Sequence, residues 1–129
     1  MPTIKRFEDI ESWKEARKLT ARLYDLCCRK PLAGDYGLCD QLRRAGVSIM
    51  ANIAEGFGRG GNKEFIQFLS LSKGSASELK SHLYVLLDVG YIAEADFQKL
   101  YAQADHIEVL ISGFMNYLQN TELKGRKFK

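Results

Sequence analysis

Ser48-Ile-Met-Ala-Asn-Ile-Ala-Glu-Gly-Phe-Gly-Arg59 places polar side chains inside a helix whose other faces read as buried. At about 100° per residue, Gln41, Arg44, Ala45, Ser48, Asn52, Glu55 and Arg59 fall on one narrow stripe. Leu38, Leu42, Ile49 and Ile53 line one flank of it, and Val47, Met50 and Ala54 lie on the far side together with Arg43. Little of this helix is therefore expected to meet solvent as an ordinary polar face. Buried amide, hydroxyl and carboxylate groups need partners, because an unsatisfied one costs about 1–3 kcal/mol and an unpaired charge more. Another helix or another subunit is expected to supply them. Arg43, Arg44 or Arg59 would neutralise Glu55 and Glu78, since guanidinium forks suit partly buried carboxylates. The expected polar network or subunit interface is Gln41, Arg43, Arg44, Ser48, Asn52, Glu55 and Glu78, assisted by Arg59.

Outward from this segment the apolar residues keep helical spacing, with no alternating strand pattern to interrupt them. Four helices are predicted, at about 10–28, 36–58, 62–90 and 94–121, followed by a basic tail over 122–129. The first has Trp13, Ala16, Thr20, Leu23, Tyr24 and Cys27 as its inner stripe, with Glu8 and Asp9 at its positive end, and Lys30-Pro31-Leu32-Ala33-Gly34 stops it. The glycine cluster at 56–61 ends the second, and Asn62 is predicted to cap the third. Along the third helix Phe65, Phe68, Leu69, Ser72, Ala76, Leu79, Leu83, Leu86 and Leu87 form one apolar stripe. Leu71, Ser75, Glu78, His82, Val85 and Val89 form a second, half-apolar face, so this helix is expected to pack on two sides. The fourth presents Phe97, Leu100, Tyr101, Ala104, Ile107, Ile111, Met115 and Leu118. Four long amphipathic helices with short connections predict an all-α, antiparallel up-down-up-down four-helix bundle, a single domain over 1–129.

The chain has 129 residues and a formal net charge of +3, unevenly spread: the first thirty residues are rich in Lys and Arg, and the last six read Lys-Gly-Arg-Lys-Phe-Lys. Such a balance permits a phosphate-rich partner without requiring one. Cys27, Cys28 and Cys39 have neither a C-x-x-C pair nor zinc-ligand spacing and read as structural thiols of a reducing cytoplasm. No apolar run approaches the roughly twenty residues that span a bilayer, and no signal region opens the chain. A cytoplasmic protein with no membrane partner is expected.

Gly56-Phe-Gly-Arg-Gly-Gly61 matches G-x-G-x-x-G in form, but that fingerprint needs a preceding strand and here a helix precedes it. What survives is an anion site: Arg59 and Lys63 flank the start of the third helix, where free backbone N–H groups favour phosphate. Glu55 and Glu78 lack the Glu-x-x-His pairing of four-helix di-metal proteins, and Ser48 and Ser75 lack a base with its orienting group. His82 and His106 stand on helices without a converging carboxylate set. No catalytic residue, metal or cofactor is expected.

Phe7-Glu-Asp-Ile-Glu-Ser-Trp13-Lys-Glu-Ala16, Tyr36-Gly-Leu-Cys-Asp-Gln41-Leu-Arg43-Arg44-Ala45, the Ser48–Arg59 stretch, Lys63-Glu-Phe-Ile-Gln-Phe68-Leu and Gly74-Ser75-Ala-Ser-Glu78-Leu follow one another in an order and spacing that resembles the 23S ribosomal RNA intervening-sequence proteins. The resemblance covers about residues 7–120. It implies an antiparallel four-helix bundle assembled as a ring-like homopentamer, encoded in bacteria within insertions of 23S ribosomal RNA genes or as a free-standing gene. A similar fold occurs in the accessory protein of diversity-generating retroelements, a basic pentamer that binds reverse transcriptase and nucleic acid. The chain departs from the family pattern at Cys39, Gly46 and Met50. Where it has these, Thr or Ser, Ala, and Pro are usual.

The expectation is a non-enzymatic homo-oligomer, a pentamer by the resemblance, that binds structured RNA or another nucleic acid through basic surface. Arg59, Lys63, Lys124, Arg126, Lys127 and Lys129 are the expected contacts, multiplied around a ring into useful avidity. The alternative is a protein–protein scaffold or accessory subunit, with an unknown protein partner and no nucleic-acid binding.

Overall fold

The computed structural model describes residues 4–121, so the expected contacts at Lys124, Arg126, Lys127 and Lys129 lie outside the described residues. Four helices follow in order: α1 (Glu11–Leu26), α2 (Tyr36–Gly58), α3 (Asn62–Asp88) and α4 (Glu94–Asn120). Short 3-10 turns at Phe7–Asp9 and Leu32–Gly34 precede α1 and α2. The expected boundaries hold to within two residues, and there is no strand among the described residues.

Each turn has a local cause. Asp35 caps α2, its Oδ1 accepting from the Leu38 N–H at 3.1 Å, and its Oδ2 accepts from the Tyr91 hydroxyl at 3.0 Å, which ties the α3–α4 connection to the start of α2. At the end of α3, Gly90 has φ +80° while Tyr91 N–H donates to Leu86 O at 2.9 Å and Gly90 N–H to Leu87 O at 3.1 Å. These two bonds close the helix in the Schellman pattern, whose left-handed position glycine fills without a steric cost. Gly60, at φ 86°, turns the chain between α2 and α3. The glycine cluster does less than its composition suggests: α2 runs unbroken through Gly56 and ends at Gly58. Gly56 serves packing instead, because a Cβ there would stand 2.6 Å from Phe68 Cβ and 2.9 Å from Phe65 Cδ1.

The side-chain register fixes the directions. Ser48 meets Ser75, Ser72 Oγ donates to Ile49 O at 2.7 Å, and Gly56 lies against Phe65 and Phe68, so residue numbers rise on α2 as they fall on α3. Between α3 and α4 the pairs are Phe65 with Phe114, Lys80 with Asp105, and Tyr84 with Phe97. Cys27 faces Cys39 and Thr20 faces Gly46 across α1 and α2, and Arg22 reaches Gln103 across α1 and α4. Consecutive helices are thus antiparallel neighbours and α4 returns beside α1, an up-down-up-down bundle. Leu19, Leu23, Leu42, Ile49, Ile53, Phe65, Leu69, Leu79, Leu83, Leu86 and Ile107 are fully buried along its axis.

Two expectations about individual residues fail. Asn62 is not the cap of α3: Gly61 takes that position, and the Asn62 amide points across the bundle to donate to Leu118 O at 2.9 Å. Tyr24, placed in the inner stripe of α1, is 45% exposed; Leu19 takes the buried position. Aromatic size suggested core, but Leu19 and Leu23 share the inward face with Ala16, and Tyr24 lies one residue beyond it.

Candidate functional site

The central part of the predicted polar stripe closes on itself within the chain. Ser48 Oγ and Ser75 Oγ lie 2.8 Å apart, joining α2 to α3, and Asn52 Nδ2 donates to Ser48 O at 2.9 Å and to Ser48 Oγ at 3.1 Å. All three side chains are half-buried. Ser48 and Asn52 stand one helical turn apart, and the antiparallel register of α2 on α3 brings Ser75 to them.

The ends of the stripe open outward. Gln41 and Arg44 are exposed, and Arg44 pairs with Asp40 at 2.8 Å rather than with Glu55 or Glu78. Glu55 does receive Arg59, at 2.9 Å, and Arg59 also approaches Glu64 at 3.8 Å and lies 5.0 Å from the centre of the Phe68 ring. Glu78 has His82 Nε2 at 3.9 Å and, among the described residues, no arginine. Arg43 sits apart from both carboxylates, its guanidinium 5.4 Å from the Tyr24 ring centre, with a buried Nε that has no hydrogen-bond partner among the described residues. The expected buried ionic network is therefore a set of separate, mostly exposed pairs. Such pairs contribute little to stability, because solvent screens them.

Along the second face of α3 the surface turns apolar. Leu71 is 57% exposed, Val85 42% and Val89 56%, all on the α3 face that also presents Ser75, Glu78 and His82. The buried Nε2 of His82 has no hydrogen-bond partner among the described residues. The second face of α3 thus packs only partly within the chain and leaves an amphipathic surface beside α2.

A second surface lies on α1. Arg6, Glu8, Trp13, Lys14, Arg17 and Lys18 line a groove of about 520 Å³ between the chain before α1 and the helix itself. Trp13 is half-buried, packed edge-on against Phe7 at 5.1 Å between ring centres, with the Arg17 guanidinium 5.7 Å from its ring. Arg6 leans toward Asp9 at 3.5 Å and Glu8 at 3.8 Å, and Lys18 pairs with Glu15 at 3.2 Å. Four cations with an aromatic face form a surface suited to phosphate and base. Trp13, expected on the inner stripe of α1, packs at the edge of the core, and the i, i+1, i+4, i+5 spacing of Trp13, Lys14, Arg17 and Lys18 is the sequence signal for this groove. Of the two cations expected at the start of α3, Lys63 is exposed and has no ion pair among the described residues, whereas Arg59 is engaged by Glu55 and Glu64.

Among the described residues, no three His, Cys, Asp or Glu side chains gather where they could hold a metal ion. Cys27 and Cys39 face each other as free thiols, with Cys39 Sγ 3.4 Å from Leu32 O. Burial, reinforced by Cys39, pushes the Cys27 thiol well above its ordinary pKa, which keeps it protonated and unreactive. No helix among the described residues is long and apolar enough to cross a membrane.

With the bundle and its surfaces in place, the comparison with known proteins is direct. The family description "23S rRNA-intervening sequence protein" matches residues 8–113, from the turn before α1 to the last third of α4. The chain belongs to the 23S rRNA-intervening sequence protein family. A crystal structure from Bacteroides thetaiotaomicron, titled as a protein with unknown function from the S23 ribosomal protein family, superposes with a TM-score of 0.74 at 20% identity, covering 81% of this chain and 97% of that one. At that identity the likeness shows a shared bundle fold. No curated protein matches the chain. The Ser48–Asn52–Ser75 trio and every lining residue named for the α1 groove except Arg6 lie inside the region matched to the 23S rRNA-intervening sequence proteins.

Proposed function

We propose that this 23S rRNA-intervening sequence protein is a non-enzymatic, cytoplasmic homo-oligomer, a five-subunit ring, that binds structured RNA through basic surface repeated around the ring. The observation that carries the RNA reading is the α1 groove, where Arg6, Lys14, Arg17 and Lys18 line one surface with Trp13, over whose ring the Arg17 guanidinium lies. Cations neutralise backbone phosphates, and an aromatic face receives a base from a loop or an unpaired end. Exposed Lys63 adds a further cation on the same chain. Self-association is supported by exposed Leu71, one turn from Ser75, and by exposed Val85 and Val89 further along the same side, a mixture typical of a surface that a second copy covers. Repetition in a ring converts weak phosphate contacts into avidity.

The test is fluorescence anisotropy of a labelled RNA hairpin titrated with nucleic-acid-free protein at low and at raised salt. Binding that weakens steeply with salt supports the reading. Absence of binding at low salt contradicts it and favours the protein scaffold, for which the same apolar face of α3 would receive a protein partner.

A further inference from the structure

The basic groove of α1 contains one group that a phosphate-binding surface does not need. Glu8 lines it together with Arg6, Trp13, Lys14, Arg17 and Lys18. Phe7, the neighbour of Glu8 in the short turn before α1, packs edge-on against Trp13 at 5.1 Å between ring centres, which seats that turn beside the indole. The Glu8 side chain is 39% exposed, and its carboxylate meets Arg6 Nε at 3.8 Å, longer than a hydrogen bond; the same Nε lies nearer Asp9, at 3.5 Å. Among the described residues no group donates a hydrogen bond to the Glu8 carboxylate. Trp13 and Arg17 stand one helical turn apart on α1, and the Arg17 guanidinium lies 5.7 Å from the centre of the Trp13 ring. Neither Lys14 nor Arg17 has an ion pair among the described residues.

From this juxtaposition of free cations, an Arg17–Trp13 platform and a solvent-accessible carboxylate, we infer that the groove selects an unpaired guanosine of the RNA, with Glu8 as the residue that reads the base. The inference rests on the RNA reading above and names what that site accepts. A carboxylate repels phosphate, so in this groove it favours only a ligand that brings hydrogen-bond donors. Guanine presents two adjacent donors on its Watson–Crick edge, N1–H and N2–H, and the two oxygens of a carboxylate receive them as a bidentate, charge-assisted pair. Adenine, cytosine and uracil each present a single donor group there and engage one oxygen. The planar Arg17 fork offers the base a stacking plane, and Lys14 is left for the phosphate. The groove of about 520 Å³ is large enough for one nucleotide, within the range of small-molecule sites, roughly 300–1,000 Å³. In a paired stem the same guanine edge is taken by cytosine, so the selection falls on loops and unpaired ends.

The experiment is fluorescence anisotropy at low salt with the full-length, nucleic-acid-free protein and labelled RNA hairpins that share one stem. Their loops are uridine throughout, except that one central position is uridine, guanosine, adenosine, cytidine or inosine. The guanosine loop is expected to bind about tenfold more tightly than the uridine, adenosine and cytidine loops. Inosine keeps N1–H and lacks the N2 amino group, so it should lose most of that advantage. Glu8→Gln should remove the guanosine preference while the all-uridine loop binds as tightly as before or more tightly, because a negative charge has left a phosphate-binding surface. A side chain of purely structural importance would instead weaken every loop alike. Equal binding of all five loops, an inosine loop as tight as the guanosine one, or a guanosine preference that survives Glu8→Gln would each overturn the assignment while leaving the RNA reading in place. Failure of every hairpin to bind at low salt would overturn both.

Discussion

The amide of Asn62, in the first turn of α3, donates to the backbone carbonyl of Leu118, in the last turn of α4, across 2.9 Å. The contact joins two helix ends, and it supplements the longer bonds that the Leu118 carbonyl accepts from the Thr121 N–H at 3.3 Å and hydroxyl at 3.5 Å. Asn62 is 6% exposed, so water does not replace that bond readily. Asn62→Ala is expected to cost about 1–2 kcal/mol, read by chemical denaturation. Asn62→Asp should cost more, because a carboxylate then faces a carbonyl oxygen. Hydrogen exchange in the last turn of α4 should quicken in both variants, and unchanged exchange there would show that Asn62 does not hold the helix end.

Gly56 and Gly58 make a matched pair on one helix. Gly56→Ala drives a Cβ to 2.6 Å from Phe68 Cβ, an atom too close to the backbone to swing away, and should destabilise by about 1–3 kcal/mol. Gly58→Ala meets nothing within 4 Å and should be neutral or stabilise by roughly 0.5 kcal/mol through the lost freedom of the unfolded chain. Thermal melts of the two variants are expected to move in opposite directions, or only the first to move.

Lys80 carries the clearest pH signature. Its ammonium lies 2.9 Å from Asp105 Oδ1, 3.0 Å from Glu108 Oε1 and 4.9 Å from the Tyr101 ring centre, with 17% of the side chain exposed. The hydrogen bond to Asp105 is foremost in raising its pKa above the ordinary lysine value, and burial opposes it. A raised folded-state pKa means stabilisation that is complete below the unfolded value, near about 10.4, and lost as pH climbs through the folded one. Tyr91 acts in the same direction, since its hydrogen bond to Asp35 raises its pKa too. Melting should therefore be insensitive to Lys80 from neutral pH to about 9.5 and fall above that. Lys80→Met should lower stability by about 1–2 kcal/mol at neutral pH. Its gap to the unsubstituted protein should close in strong alkali, a difference that Tyr91 does not affect.

On the α3 face, Leu71→Asp and Val85→Asp replace exposed side chains, so the isolated fold should tolerate them within about 0.5 kcal/mol. A charge in a covered apolar contact is costly, and sedimentation at micromolar concentration should show a smaller particle. Ser48→Ala, by contrast, removes the partner of Ser75 and Asn52 within the chain and should lower melting whatever the assembly state. Aspartate variants of unchanged mass would place the subunit contact elsewhere.

In the α1 groove, Lys14→Glu with Arg17→Glu reverses two cations without touching the core. RNA affinity should fall at least tenfold at low salt, and the slope of affinity against salt should flatten by about one to two for each chain engaged. Trp13→Ala should weaken binding to a hairpin loop more than to a blunt duplex.

What could be read from the chain beforehand follows from geometry. Helical period specified the four elements and most of the core, since Leu69, Ala76, Leu83 and their neighbours repeat with the turn of the helix. The Ser48–Asn52 pairing was legible for the same reason, as the residues lie one turn apart. Partner choice across helices was not. Asn62 reaches α4 rather than its own backbone, an outcome that depends on register between helices, whereas the Arg44–Asp40 pair is an i, i+4 contact within α2. Trp13 packs against the core from a boundary position, where an aromatic side chain serves both core and surface.

Light scattering coupled to size-exclusion chromatography, on nucleic-acid-free protein alone and with an RNA hairpin at low and high salt, tests the central claim most directly. The account predicts a particle of five chains whose mass rises with RNA at low salt and returns to the protein-only value at high salt. A monomer, or an oligomer whose mass ignores RNA at every salt concentration, would contradict it.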